Sequence, residues 1–397
     1  LMLQFVDRAK NRRLKVEDVR RVHSAVPKHK VRTRVFWRQA SRVYGAYERI
    51  LRQENKMDFQ DVLEEAAQRI EAEHGDLAFV PERGRNPVRL DGLRWLLIDE
   101  YQDFSPGFDN MVRVLRKYNP GLRLFCVGDD WQTINRFAGS EPIYFQEFAK
   151  KTPEAQEVLL RINHRSRREI VNTSNRLMEG FGAPGMWLPN KLGGQVRATC
   201  VDRLYLKALP TNGAHGTDFE GDEDEECPRK FDPGFMRAKT IAVCCGLIER
   251  YSKPGSSVAI LSRTNHILRL PLFRFAEDLY MALEAIGAAI DPPPSVNTVH
   301  KFKGLQAELV ILLDVTSGQV PLLHKDNELM APFLSNGADP HEEAMIDERR
   351  LFYVALSRAT DHLWILSESA RLSPFLESLG VPIVDPTTVA AQPFGIV

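Results

Sequence analysis

The sequence predicts an α/β fold built on parallel sheets, and three observations carry that expectation. Apolar runs of strand length recur, around residues 96–98, 122–127, 258–261, 309–313 and 363–366. Segments of helical periodicity lie between them. The first two runs end in polar side chains, and strand tips of open parallel sheets are where ligands bind. The 397 residues suffice for two or three domains with cores of their own.

The elements follow in order. Residues 1–54 read as helical and basic, with Pro27 interrupting the run. Between residues 8 and 52, fifteen Lys or Arg stand against Glu17, Asp18 and Glu48, in a chain whose 53 basic and 53 acidic residues cancel. Such a stretch suits a phosphate backbone; the plainer reading is a solvated helical surface. Phe36, Trp37, Tyr44 and Tyr47 interleave with these charges, either to stack on bases or, at helical spacing, to form core. Asp58 reads as the N-cap of the next helix, with Asp61 in its first turn and Val62, Leu63, Ala66, Ala67 and Ile70 as its apolar stripe. A Pro/Gly/Arg loop over 81–87 precedes the strand Leu96-Leu97-Ile98, which ends in Asp99-Glu100. A helix over 106–118 and the turn Asn119-Pro120-Gly121 lead to a second strand, which ends in Gly128-Asp129-Asp130-Trp131-Gln132.

Farther on, Val158-Leu159-Leu160 predicts a short strand and residues 167–180 a helix. Residues 211–236 break the pattern: seven of the nine positions 218–226 are acidic, which predicts an exposed insertion. A helix over 237–250 follows, then the three core strands, with Asp291-Pro292-Pro293-Pro294 as a stiff spacer.

The strand tips suggest chemistry. One of two adjacent carboxylates can hold Mg²⁺ through water, while the other takes a proton from water attacking a γ-phosphate. A polar loop after a core strand accounts for the same letters. Gly128 suits a sharp turn. Gln132 can bond a phosphate oxygen and the attacking water without adding charge.

Asp99-Glu100-Tyr101-Gln102-Asp103 and the segment from Gly128 to Ser140 (GDDWQTINRFAGS) resemble the Walker B and Gln-sensor motifs of UvrD/Rep-type superfamily 1 DNA helicases. Leu160-Arg161-Ile162-Asn163-His164-Arg165-Ser166 is similar to the family's L-x-x-N-Y-R-S. Thr298-Val299-His300-Lys301-Phe302-Lys303-Gly304-Leu305-Gln306 is similar to T-x-H-x-x-K-G-L-E. Residues 347–359 (DERRLFYVALSRA) are similar to E-E-R-R-L-x-Y-V-A-x-T-R-A. These motifs stand in the family's order and span residues 99–359.

The resemblance implies two RecA-like parallel-sheet domains, the first incomplete, with a helical N-terminal segment. Residues 1–54 would belong to an insertion in the first domain and 55–155 to the rest of it. Residues 156–385 would form the second domain with its acidic insertion 211–236, and 386–397 a tail. It implies ATP and Mg²⁺ as cofactors, single-stranded DNA and duplex junctions as partners, 3′ to 5′ translocation and work in DNA repair. Asp99 would be the metal ligand, Glu100 the general base and Gln132 the phosphate sensor. Arg165 and Arg358 would be arginine fingers reaching ATP in a cleft between the domains. His164 stands where a Tyr usually stacks on adenine. Lys303 and Gly304 would face nucleotide, and Gln306 replaces the Glu that contacts ribose. Thr298 and His300 would touch DNA, as would Trp131, Asn135 (where an aromatic is usual) and the base-stacking platform Phe137.

The phosphate-cradling loop G-x-x-x-x-G-K-[ST] occurs nowhere in these residues. The expectation is the C-terminal portion of a longer helicase that hydrolyses ATP poorly by itself. The alternative is a non-catalytic pseudo-helicase that grips DNA or a partner. Five cysteines at 126, 200, 227, 244 and 245 form no CxxC pair, which fits free thiols in a reducing cytoplasm. No apolar run reaches membrane-spanning length, so no membrane partner is expected.

Overall fold

A computed structural model describes residues 2–79, 87–152, 154–206, 233–268, 270–288, 290–333 and 339–391. The acidic run 218–226 and Cys227 lie outside the described residues. Two compact units form: Leu1–Leu159 with His324–Asp347, and Leu160–Leu323 with Glu348–Val397.

The first unit opens with α1 (Met2–Asn11), α2 (Val16–Ala25), α3 (Val31–Gln53) and α4 (Phe59–Ala72). The antiparallel pair β1 (Ala78–Phe79) and β2 (Val88–Arg89) follows, then β3 (Trp95–Ile98), α5 (Pro106–Tyr118), β4 (Arg123–Cys126), α6 (Ile143–Gln146) and α7 (Phe148–Lys151). Aromatic packing holds the helices together. Phe5 meets Trp37 edge-on at 5.0 Å, and Phe36, Ala40 and Tyr44 join the same core. Of the two readings of these aromatics, core packing holds: Phe36, Trp37 and Tyr44 are buried, and Tyr47 donates its hydroxyl to Asp58 at 2.9 Å.

The segment after His324 packs into this helical core as well. Leu329, Met330 and Phe333 fill it, and the Leu329 carbonyl accepts the Trp37 indole N–H at 2.8 Å. Residues 324–347 thus belong to the first unit, in contrast to the expected uninterrupted 156–385. Basic residues are drawn inward too. Lys10 lies buried among Asp61 (2.6 Å), Asp58 (2.7 Å) and Glu48 (3.0 Å). Asp58 caps α4 as predicted, accepting from Gln60 and Asp61 N–H at 3.0 Å each.

β3 and β4 pair in parallel, with Trp95 opposite Arg123 and Ile98 opposite Cys126. α5 starts at the cap Ser105 with Pro106 in its first turn, and its Val114 packs on Ala67 and Ile70 of α4. Alternation leaves Trp95, Leu97 and Phe125 exposed.

The second unit contains β5 (Ile162–Asn163), α8 (Arg168–Leu177), β6 (Met186–Trp187), β7 (Gln195–Cys200), α9 (Pro233–Tyr251), β8 (Val258–Ser262), β9 (His266–Ile267), β10 (Leu270–Pro271) and α10 (Leu272–Ala285). β11 (Ser295–Thr298), β12 (Ala307–Leu312), α11 (Pro340–Leu356), β13 (Ala359–Ser367), α12 (Pro374–Leu379) and β14 (Ile383–Val384) complete it, α11 beginning in the first unit. Six strands form one sheet in the order β11-β8-β12-β13-β7-β14, and every pairing is parallel. β8 is buried throughout and β12 nearly so, which is why both read as unbroken apolar runs.

Two expectations change. Val158, Leu159 and Leu160 form no strand and are exposed; β5 starts at Ile162, where Met186 and Trp187 supply a parallel partner. Residues 386–391, expected as tail, pack against α9, with Val389, Ala390 and Ala391 buried in the core and Ala391 N–H bonded to the Ala242 carbonyl at 3.0 Å.

Candidate functional site

In the first unit the polar residues gather at the adjacent tips of β3 and β4. The β-pairing extends past both strands: Val127 N–H bonds the Ile98 carbonyl at 2.9 Å, and Tyr101 N–H the Val127 carbonyl at 2.8 Å. Between these bonds the chain turns at Glu100, whose φ of 51° puts a non-glycine residue in the left-handed region. Such conformations cost energy and concentrate at functional sites. Asp99 and Glu100 are both exposed, and the Asp99 carboxylate accepts the Glu100 N–H at 2.9 Å.

Gln102, by contrast, is 1% exposed. Its amide N–H donates to the Glu100 carboxylate, and its amide oxygen accepts the Asp129 N–H at 3.0 Å. Asp129 in turn accepts from the Trp131 N–H at 3.0 Å and from the Gln132 amide at 2.8 Å. Glu100, Gln102, Asp129 and Gln132 therefore form one hydrogen-bonded chain across two strand tips. Gly128 is needed for space, not for a sharp turn: its φ is not positive, but a Cβ there would sit 2.5 Å from the Gln102 amide oxygen.

The neighbouring candidates differ. Trp131 is buried and presents no open face for a base. Asn135 donates to the Asp103 carboxylate at 2.8 Å. Phe137 lies in the turn Arg136–Ala138, and its side chain is outside the described residues. Among the described residues no three His, Cys, Asp or Glu side chains group as a metal site. A lone exposed carboxylate such as Asp99 still suits Mg²⁺, which keeps several waters and takes few protein ligands beside substrate phosphates.

In the second unit, β13 is the organising strand. The Asn163 side chain accepts the N–H groups of Arg165 and Ser166 at 2.9 Å each, which ends β5 in a tight turn. Ser166 Oγ donates to the Ala359 carbonyl at 2.7 Å and Arg167 N–H to the Thr360 carbonyl at 2.9 Å, fixing the turn to the start of β13. Lys191 holds the Arg165 carbonyl at 2.7 Å. Arg358 immediately precedes the same strand. Its guanidinium is 1% exposed and donates to the carbonyls of Val354 (3.0 Å) and Leu305 (3.2 Å) and to Ser357 Oγ (3.1 Å). Arg358 thus braces the loop that carries Gly304 and Gln306. Gly304 has a φ of 86°, which explains glycine there, and His164 and Gln306 are exposed.

Thr298 is buried at the end of β11, and its hydroxyl accepts the Lys301 N–H at 3.4 Å. His300 follows on a half-buried turn, anchored by buried Phe302 and carrying Lys303. Burial, then the charges of Arg263 and Lys303, push the His300 imidazole down to about 4, so it is neutral at pH 7. Arg263 itself forks onto buried Glu348, with Nη2 to Oε1 at 2.6 Å, and Leu322 N–H adds a bond to Glu348 at 2.9 Å.

Sequence reasoning had named no role for Gln102, Asp129, Arg263 or Glu348. All four lay in view: two within the quoted motifs beside Glu100 and Gln132, one directly after β8, and one in the 347–359 segment.

Comparison with known proteins agrees with the motifs. A family model described as the UvrD/REP helicase N-terminal domain matches residues 1–153, and one described as the UvrD-like helicase C-terminal domain matches 284–370. DNA helicase IV of Escherichia coli is 27% identical over 345 residues, covering 85% of this chain and 41% of the relative. ATP-dependent DNA helicase UvrD2 of Mycobacterium tuberculosis is 25% identical over 407 residues, covering 83% and 55%. The putative ATP-dependent DNA helicase YjcD of Bacillus subtilis is 32% identical over 151 residues, 38% of this chain and 18% of its own. The chain therefore spans about half the length of the first two relatives. With both of its domain models matched, and four of the five motifs lying inside them, the chain belongs to the UvrD/Rep helicase family.

Proposed function

We propose that this chain is the motor portion of an ATP-dependent DNA helicase, in which ATP hydrolysis drives 3′ to 5′ movement along single-stranded DNA and opens duplex junctions. The observation that supports this best is the joined tip of β3 and β4, where Glu100 and Gln132 share one hydrogen-bonded chain. Glu100 takes the proton from the attacking water, and Gln132 orients that water. Asp99 would hold Mg²⁺, and that ion, when bound, would supply positive charge to the phosphates.

Arg165 and Arg358 neutralise charge on the transferred phosphoryl group. For Arg358 this means exchanging a carbonyl partner for a phosphate oxygen, because its guanidinium is turned inward on Leu305 and Val354. His164 covers the adenine, Gln306 bonds the ribose, and Lys303 and Gly304 face phosphate. His300, Asn135 and Phe137 line the DNA path, with His300 acting as a neutral hydrogen-bonding group, while buried Thr298 supports the His300 loop through the Lys301 N–H. The reading fits a DNA-repair motor of the cytoplasm, and no described helix is long and apolar enough to cross a membrane.

The test is DNA-stimulated phosphate release by the full-length protein. Glu100→Gln is expected to lower kcat by about 100-fold or more; a rate equal to the parent's would remove Glu100 from its role. The 397-residue chain by itself is expected to release little phosphate, because none of its residues form the G-x-x-x-x-G-K-[ST] loop.

A further inference from the structure

We propose that Gln102 is a positioning residue for hydrolysis: it holds the Glu100 carboxylate in place and, through Asp129, sets the orientation of Gln132. The proposal rests on the assignment of Glu100 and Gln132 above, and deepens it.

Gln102 is almost fully buried, yet both ends of its amide are used across two different strands. A neutral amide suits this place, since its two ends donate to a carboxylate and accept from an N–H at once. A protonated carboxyl could do so only by losing its charge. The space around it is equally specific. A Cβ on residue 128 would meet the Gln102 amide oxygen at 2.5 Å and the Phe145 ring at 2.9 Å, so Gly128 leaves the gap that the amide fills. Asp129 continues the chain. One carboxylate oxygen holds the Trp131 N–H and so shapes the turn; the other holds the Gln132 amide at 2.8 Å. Glu100 sits at a strained φ of 51° with an exposed side chain. A buried, doubly bonded neighbour restricts it.

Simple glue between β3 and β4 is the competing account, and substitutions separate the two. Gln102→Glu keeps the shape and the acceptor for Asp129 N–H, but turns an oxygen instead of an N–H towards Glu100. Gln102→Leu removes both bonds. In the full-length protein, Gln102→Glu is expected to lower kcat for DNA-stimulated ATP hydrolysis by about 10–100-fold, with KM for ATP within about twofold, and to lower thermal melting because a second carboxylate is buried against Glu100. Gln102→Leu is expected to fall at least as far. In the Glu100→Gln background, Gln102→Glu is expected to cause no further loss, because the group it positions is gone. An unchanged kcat in Gln102→Glu, or a KM that rises in proportion as kcat falls, overturns the proposal. So does a full additional loss in the double variant. Glu100→Gln alone reports on the underlying assignment: if it keeps the parent rate, that assignment fails; if it is inactive while Gln102→Glu is normal, only the positioning role fails.

Discussion

Glu348 is a carboxylate with 7% of its surface exposed, and its stability depends on Arg263. The fork between them is bidentate, and one backbone N–H, from Leu322, completes it. Removing one partner of such a pair leaves an uncompensated buried charge, which costs more than the pair itself contributes. Arg263→Ala is therefore expected to destabilise the second unit by about 3 kcal/mol, measured by urea unfolding. Arg263→Ala combined with Glu348→Leu should recover much of that loss; no recovery would mean the arginine acts by packing alone.

Two titrating groups nearby in sequence pull stability in opposite directions. His300 is held below its ordinary value, at about 4, by burial and by the charges of Arg263 and Lys303. The unfolded chain takes that proton first, so this group's contribution is lost as pH falls below about 6.5. Asp314 is raised to about 6, chiefly by burial, against a lowering bond from Thr316. There the folded state takes the proton first, so the cost appears as pH rises from about 4 through 6. Asp314 also sits at a φ of 53°, which Asn tolerates well. Asp314→Asn is expected to raise stability at pH 7 by roughly 1–2 kcal/mol, with the gain fading towards pH 4. A loss at pH 7 would show that the charge is needed.

At the scale of elements, α9 shows how far a sequence can be read. Its helical run was legible, and so was the apolar character of β8 and β12, because strands buried on both faces need no polar residues. What covers α9 was not legible. The chain at 389–391 crosses it at Gly246, where a Cβ would lie 2.1 Å from the Val389 carbonyl oxygen. Nothing local marks a contact between residues more than 140 positions apart. Trp37 and Leu329 are a second case, and Gln102 with Asp129 a third, for the same reason. Val158 to Leu160 failed the other way: apolarity suggested a strand, but a strand needs a partner, and pairing starts only at Ile162. The motif residues were legible because each lies at a strand end or turn, where local chemistry is distinctive. Gly246→Ala puts two effects in opposition. Helix propensity favours Ala by about 1 kcal/mol, while overpacking against a fixed backbone costs about 1–3 kcal/mol. Since the clash is with backbone, packing should win, and the variant should melt below the parent. A higher melting temperature would mean that the segment 389–391 leaves α9 without cost.

Across the whole molecule, 53 basic and 53 acidic residues leave no net charge to draw in a polyanion, so any affinity for DNA must come from a local surface. The basic stretch near the start divides on folding. Lys10, Arg12, Arg13 and Arg32 are committed to acidic partners within the first unit. Arg38, Arg42, Arg49 and Arg52 remain exposed on α3, and steps of four, seven and three residues keep them on one helical face. At 1.5 Å per residue they extend along about 21 Å of helix, enough to follow several consecutive phosphates. Arg52 is only loosely paired, with Glu48 at 3.8 Å. If this face carries single-stranded DNA, replacing Arg38, Arg42 and Arg49 together by Ala should weaken binding for every sequence alike. It should also reduce the slope of log K against log salt by about 2, at roughly 0.7 for each phosphate no longer neutralised. Fluorescence anisotropy with labelled oligonucleotides over a salt series measures both. Arg274→Ala is the control, since that exposed residue on α10 is paired with Glu277 at 2.9 Å and should leave the slope unchanged. A triple variant that binds with the parent's slope would remove α3 from the DNA path and leave the loop of His300 and Lys303 to account for the affinity.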